Sequence, residues 1–329
     1  MSEKNFPLII GNTTISPGER ITIALPTPEI YTCTPMHIPI HVIHGKKAGP
    51  TLLICSGMHG DEMNGIAIIQ KLLNSREINS LAGTLIAIPV INVYGLMTHT
   101  RNLPDKRDLE SSFPGSEQGT YADRLAFSLN TIIFDLATHI IHIQTGAPYY
   151  HKFPQIQTNT YIERSSNMAK EFGTSIIKHT ESDKGLLWKL KEKGNETAVI
   201  NYEAGHALSL DDDAIRVGFN GIIKVMGAIE LISVKHKSKK IKTSSLIRSS
   251  MWIRSPSSGI SKILKKAGSQ IKKNELIAIV SDPFGTKQTS NIYSPIDGVI
   301  ISNNIFPLTN EGDSLLEIGL IENFDPLQE

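Results

Sequence analysis

His59 and Glu62, in Gly57-Met58-His59-Gly60-Asp61-Glu62, are an imidazole and a carboxylate three residues apart. Such a pair can converge on one cation, and zinc takes nitrogen and oxygen ligands at about 2.0–2.2 Å. The plainer alternative is that Asp61 caps a helix beside a solvated His and Glu. A second candidate is His142-Ile143-Gln144-Thr145-Gly146, where residues i and i+2 of a strand share a face. His142 and Gln144 would therefore point the same way, as ligands or as ordinary core residues. A third is Glu203 in Tyr202-Glu203-Ala204-Gly205; a carboxylate at a strand end facing a metal can serve as general base. A fourth is the long loop from Arg101 to Gly115, where Arg101 could polarise a carbonyl oxygen or stand in a surface ion pair.

The elements that must position these groups are legible in the apolar pattern. Thr51 to Cys55 is a short apolar run that reads as a buried strand leading into His59. Met63 to Asn74 follows with Ile66, Ile69, Leu72 and Leu73 at helical spacing, which puts His59 and Glu62 at a strand's C-terminal edge. Residues 8–56 otherwise read as short strands, and Thr84 to Ile91 as another buried one. Tyr121 to Leu136 is helical, Ile140 to Ile143 a strand, Lys184 to Lys193 a short helix, Ala198 to Ile200 a strand, and Asp212 to Ile232 mostly helical. Strands alternating with helices predict an α/β sandwich around a largely parallel or mixed sheet.

The pattern changes near residue 234. Lys235 to Ser250 is basic and serine-rich, a connector or exposed strand pair; no aromatic residues are interleaved as a nucleic-acid surface would require. Beyond Trp252, Ser255-Pro256-Ser257-Ser258-Gly259-Ile260 resembles Ser294-Pro295-Ile296-Asp297-Gly298-Val299. Two strand-turn units of this kind predict a small all-β barrel of biotinyl-carrier shape. Neither turn holds the lysine a carrier needs, so this unit reads as structural. The expected division is 1–234 for the α/β domain and 235–329 for linker strands and β-barrel.

The 329 residues allow such a division, and 40% hydrophobic with 20% charged residues is ordinary for a globular protein. A net charge of +1 gives no field favouring nucleic acid or an anionic membrane. Cys33 and Cys55 do not amount to a disulfide scaffold. The polar N-terminus lacks a signal-peptide core, and the longest apolar stretch, Leu85 to Met97, is too short to span a bilayer. A cytoplasmic protein is expected, with homo-oligomerisation left open.

In order and spacing these segments resemble the succinylglutamate desuccinylase/aspartoacylase family, a branch of the zinc-carboxypeptidase fold. Pro17-Gly18-Glu19-Arg20, Ile38-Pro39-Ile40, Gly49-Pro50, Pro89-Val90-Ile91-Asn92 and the C-terminal Ser-Pro-x-x-Gly turns carry the same likeness. The resemblance implies one zinc ion with His59 and Glu62 as ligands, Glu203 activating the attacking water, Arg101 stabilising the oxyanion, and hydrolysis of a small N-acyl amide. Two departures stand out. The family's Asp-Leu-His-Thr-Gly, source of the third ligand, reads His142-Ile143-Gln144-Thr145-Gly146 here. Gln144 offers only a neutral carbonyl, so His142 is the stronger of the two as replacement ligand. The family's Asp-Leu-Asn-Arg-x-Phe-Pro-Gly reads Asp108-Leu109-Glu110-Ser111-Ser112-Phe113-Pro114-Gly115. Glu110 and Ser111 thus stand at the substrate clamp, where a carboxylate repels an anion and favours a neutral or cationic amide. Two functions follow: a zinc-dependent deacylase with altered ligation, or an inactive relative that binds a ligand or partner in the same cleft.

Overall fold

A computed structural model describes residues 4–181, 185–191, 196–233, 244–286 and 288–322. A hairpin of β1 (Leu8–Ile10) and β2 (Thr13–Ile15) precedes β3 (Arg20–Pro26), β4 (His37–His44) and β5 (Lys47–Cys55). Then come α1 (Met63–Leu73), β6 (Ala82–Ile88), α2 (Val93–Thr98), α3 (Tyr121–Ile132), β7 (His139–Gly146) and β8 (Tyr150–Thr158). They are followed by α4 (Glu163–Phe172), β9 (Ile176–His179), β10 (Ala198–His206) and α5 (Asp212–Ala228). The remainder is all strand: β11 (Ser245–Arg254), β12 (Gly259–Ile263), β13 (Gln270–Ile271), β14 (Leu276–Ser281), β15 (Ser290–Tyr293), β16 (Gly298–Asn304), β17 (Leu308–Thr309) and β18 (Ser314–Glu322).

Twelve strands form one sheet in the order β13-β16-β18-β11-β9-β8-β10-β7-β5-β6-β4-β3. Its centre is parallel, β10 with β7 and β7 with β5, while β8 runs antiparallel to β10. Both faces are covered, which is why the central strands read as continuous apolar runs. Ile68 and Leu72 of α1, Met168 of α4 and Val225 of α5 pack on one face with Leu52, Ile141 and Ile200. Leu125 and Leu129 of α3 pack on the other with Leu53, Ile140 and Val199. His142 and Gln144 share the side of Ile140, so both look toward the α3 face.

The C-terminal strands continue this sheet while keeping a core of their own, built on Ile277, Ile300, Leu315 and Ile318. Strand β11 pairs in parallel with β9, and β16 pairs with both β18 and β8. Strands β8, β9, β11, β18 and β16 therefore close into a five-strand ring. The internal repeat is visible as equivalent turns. Ser255 Oγ donates to the Ser257 carbonyl at 2.6 Å, and Ser294 Oγ to the Ile296 carbonyl at 2.6 Å.

Several elements differ from the sequence expectation. The helix at 121–136 breaks after Ile132 into a short 3-10 turn, Phe134–Leu136. The stretch read as helix at 184–193 is a 3-10 segment at Gly185–Lys191; residues 184, 192 and 193 lie outside the described residues. Helix α4 was not expected, because its mean hydropathy is low and only one edge is apolar. The basic connector falls mostly at 234–243, outside the described residues. Cys33 and Cys55 are both unpaired, one exposed and one buried. Among the described residues no helix is long and apolar enough to cross a membrane.

Candidate active site

The C-terminal ends of β5, β7 and β10 open onto a cavity of about 470 Å³, where ligands collect in open α/β sheets. Gly57, with φ +60, turns the chain out of β5. Gly60 lies so close to α2 that a Cβ there would stand 1.8 Å from the Gly95 carbonyl carbon. This packing and the Gly60 N–H to Thr100 carbonyl bond at 2.9 Å tie the His59 loop to the Arg101 loop. Asn92 fixes the other end of that loop: its side chain accepts from Gly95 N–H at 2.7 Å and donates to the Arg101 carbonyl at 3.2 Å.

Glu62 is the N-cap residue of α1, yet its carboxylate makes no capping bond. It turns back to His59, with Oε1 3.1 Å from Nδ1, and Oε2 accepts from the His59 backbone N–H at 3.2 Å. Asp61 is not the cap either; its buried carboxylate accepts from Arg101 Nη1 at 3.3 Å. The other ring nitrogen of His59, Nε2, meets Asp108 Oδ1 at 3.1 Å. A carboxylate on the far nitrogen is the usual device for orienting a ligand histidine. Arg101 Nη2 lies 2.9 Å from His59 Nδ1. A guanidinium only donates, so in the neutral ring the proton belongs on Nε2, facing Asp108. Burial works to lower the His59 pKa, but Glu62 and Asp108 outweigh burial and the Arg101 charge and raise it to about 10. Burial pushes the Glu62 carboxyl up, yet His59 beside it holds it below the ordinary value.

Gln144 and Glu203 are register partners across β7 and β10, and His142 and Asn201 form the adjacent pair. Gln144 Nε2 donates to Glu110 Oε1 at 2.8 Å, and its Oε1 receives Asn201 Nδ2 at 3.4 Å. Glu110 Oε2 is 4.0 Å from His59 Nε2. Burial first of all, with Glu62 and Asp108 adding to it, raises the Glu110 pKa. His142 is fully buried, and among the described residues neither ring nitrogen has a hydrogen-bond partner of acceptable geometry. Burial lowers its pKa to about 4, so the ring is neutral. Glu62, Arg101, Glu110, Gln144 and Glu203 line the cavity; His142 lies below it, and Ser111 is exposed outside it. Among the described residues, the ligand atoms that fall within 4.8 Å of one another belong to His59, Asp108 and Glu110, and Glu62 is not in that group.

Glu203 accepts from the side-chain amides of Gln155, at 2.9 Å, and Gln157, and Lys152 Nζ lies 3.8 Å away. In a regular strand Lys152 and Gln155 would face opposite sides. The register between β8 and β10 shifts from Glu203↔Gln155 to Gly205↔Lys152, a bulge that brings both to the cavity side. Burial works against the Lys152 ammonium, but Glu203 and Glu317 outweigh it and its pKa is raised. Trp252 of β11 and Ser314 of β18 complete the wall. Sequence reasoning missed Asp108, Lys152, Gln155, Gln157 and Trp252. Asp108 alone had a signal, as the first residue of a loop motif already singled out. A bulge and the closing of a ring leave no periodicity to read.

The fold and site define a mixed α/β protein with a His/carboxylate cleft at the ends of its parallel strands. Residues 48–229 match the succinylglutamate desuccinylase/aspartoacylase catalytic domain. The chain belongs to the succinylglutamate desuccinylase/aspartoacylase family, a family of deacylases. It is 22% identical over 296 residues to N-alpha-acetyl-L-2,4-diaminobutyric acid deacetylase of Halomonas elongata, covering 85% of each chain. Its fold matches a succinylglutamate desuccinylase/aspartoacylase structure from Rhodobacter sphaeroides with a TM-score of 0.79 at 19% identity, over 92% of this chain and 96% of that one. It also matches the product-bound ectoine utilization protein EutE (DoeB) of Ruegeria pomeroyi, TM-score 0.78 at 20% identity, over 96% and 98%.

Proposed function

We propose that this protein is a metal-dependent deacylase that hydrolyses the N-acyl amide of a small neutral or cationic molecule, with one zinc ion held through His59 and Glu62. The observation that carries this reading is the 3.1 Å separation of His59 Nδ1 and Glu62 Oε1 at the rim of the cavity that also holds Arg101 and Glu203. Two ligands bound at about 2.1 Å in tetrahedral geometry stand roughly 3.4 Å apart, so these donors fit one ion. Asp108 on Nε2 is the partner such a histidine requires. Arg101 and a cation cannot share the Nδ1 lone pair, so loading the site turns the guanidinium off that nitrogen.

A divalent ion bound there supplies a Lewis acid that polarises the acyl carbonyl and acidifies a water. The remaining work falls to the chain. Glu203 accepts the proton of the attacking water and returns it to the amine as the C–N bond breaks. Gln155, Gln157 and Lys152 hold that carboxylate in one orientation. Arg101, released from His59, lies at the cavity wall where it can pair with the oxyanion. Trp252 and Tyr150 add aromatic surface to the cavity wall. Glu110 stands in the cavity wall at the clamp position, where a carboxylate disfavours an anionic substrate and supports a neutral or cationic one. N-alpha-acetyl-2,4-diaminobutyrate balances its carboxylate with an ammonium group, is net neutral, and is the first compound to assay. Acetate release that depends on added zinc and disappears in Glu203→Gln supports the reading; no release with any metal contradicts it.

A second reading, a relative that binds a ligand without turnover, is favoured by Gln144 at the third-ligand position and by Arg101 on His59 Nδ1. It predicts ligand binding by the same cavity with no acetate release. The division into an α/β domain at 1–234 and a β unit at 235–329 is retained, with the β unit walling the cleft. A cytoplasmic setting fits the same reading.

A further inference from the structure

We propose that Glu317, on β18 of the C-terminal β unit, is a positioning residue for the hydrolysis: it holds the Lys152 ammonium off the Glu203 oxygen that takes the proton of the attacking water. This rests on the deacylase reading above, in which Glu203 is the general base. The two oxygens of Glu203 are not alike. Oε2 accepts from the side-chain amides of Gln155 and Gln157. Among the described residues Oε1 accepts no hydrogen bond, and Lys152 Nζ lies 3.8 Å from it. That is beyond the reach of an N–H···O bond, about 3.2 Å. The same ammonium donates to Glu317 Oε2 at 3.1 Å. Glu317 therefore keeps Lys152 near enough to Glu203 to offset its charge, and too far to occupy its free oxygen.

The five-strand ring fixes that distance. Ser302 of β16 is the register partner of both Lys152 and Glu317, so the closing of the ring sets the three in one row across β8, β16 and β18. Lys178 of β9, at 2.7 Å, and Ser250 of β11, at 2.6 Å, both donate to Glu317 Oε1. The carboxylate is thereby held from two further strands, with Oε2 left for Lys152. Glu317 is buried and does not line the cavity, so its effect on the reaction runs through Lys152. Without the Glu317 charge, the carboxylate left to that ammonium is Glu203. Closing the gap between them makes a charge-assisted bond at about 2.7–2.9 Å, and it takes lone pairs that the water proton needs. The β unit thus acts on the general base of the α/β domain from outside the cleft.

The test pairs side-chain NMR with steady-state kinetics on the full chain, with thermal melts to verify folding. In protein carrying isotope-labelled lysine, Lys152→Met identifies the Lys152 ammonium signal. Glu317→Gln should shift that signal, and adding Glu203→Gln should then shift it further than Glu203→Gln does in wild type. Glu317→Gln should lower kcat about 10–100-fold, the worth of one hydrogen bond to a charged group, with KM little changed. In the Lys152→Met background the same substitution should cost nothing further. A Lys152 signal indifferent to Glu317→Gln, no loss of kcat, or an equal loss in both backgrounds overturns this inference alone. A wild type without turnover overturns the deacylase reading, and the NMR response still decides whether Glu317 holds Lys152 off Glu203.

Discussion

Gln144 donates its side-chain amide to the Glu110 carboxylate at 2.8 Å, joining strand β7 to the loop that follows Asp108. The two residues stand in the two motifs where this chain departs from the family pattern. A hydrogen bond to a charged group contributes about 1.5–3 kcal/mol. A double-mutant cycle of Glu110→Ala and Gln144→Ala, read by denaturant unfolding, should return a coupling in that range. Additive effects would mean that the contact is incidental.

The roles proposed for Glu203 and Arg101 are distinct and should fail distinctly. Loss of a general base costs about 10²–10⁴ in rate, so Glu203→Gln should depress kcat by that factor while metal content stays at the wild-type level. Arg101→Ala removes the proposed oxyanion donor and should lower kcat about 10²–10³-fold. Steady-state kinetics alongside elemental analysis separates these effects from loss of the ion.

The ring of β8, β9, β11, β16 and β18 holds a buried charge network. Glu317 accepts from Lys152 at 3.1 Å, Lys178 at 2.7 Å and Ser250 at 2.6 Å. Burial works to raise the Glu317 pKa, but the two lysines outweigh it and hold the carboxyl below its ordinary 4.5. A depressed folded-state pKa contributes stability that is present above the unfolded value and lost as pH falls through the folded one. The Tm should therefore drop on acidification below about 4.5, and Glu317→Gln should flatten that limb. Glu317→Ala at neutral pH takes the shared carboxylate from two half-buried ammonium groups, of which Lys152 keeps Glu203, and should cost about 1–3 kcal/mol. It should also perturb Glu203, which shares Lys152.

Gly60→Ala places a methyl group against the Gly95 carbonyl of α2, 2.0 Å from its oxygen. Neither backbone can yield without moving the His59 or Arg101 loop. Destabilisation of about 1–3 kcal/mol is expected, together with weaker metal binding; an unchanged melt and metal content would show that the loops are not coupled.

Much of the fold was readable because the central strands are covered on both faces. Thr51–Cys55, Ile140–Ile143 and Ala198–Ile200 announce themselves as apolar runs, and α1 and α5 as 3.6-residue stripes. Five of the cavity-lining groups, Glu62, Arg101, Glu110, Gln144 and Glu203, were legible for the same reason: they sit at the ends of such elements or in the loop that follows them. What escaped depends on relations between elements. The bulge that aims Lys152 at Glu203 lies in the register of β8 on β10. Trp252 reaches the cavity because β11 joins β9 and the ring closes through β16 and β8. Whether His142 or Glu110 approaches His59 is a matter of depth along β7 and of loop path, and alternation along a strand carries no information about either.

The most direct test is the rate of acetate release from N-alpha-acetyl-2,4-diaminobutyrate by one preparation, before chelation, after it, and on titration with zinc. The account predicts turnover that is abolished by chelation and restored at about one ion per chain. Turnover that survives complete metal removal, or metal-loaded protein that releases no acetate, would contradict it.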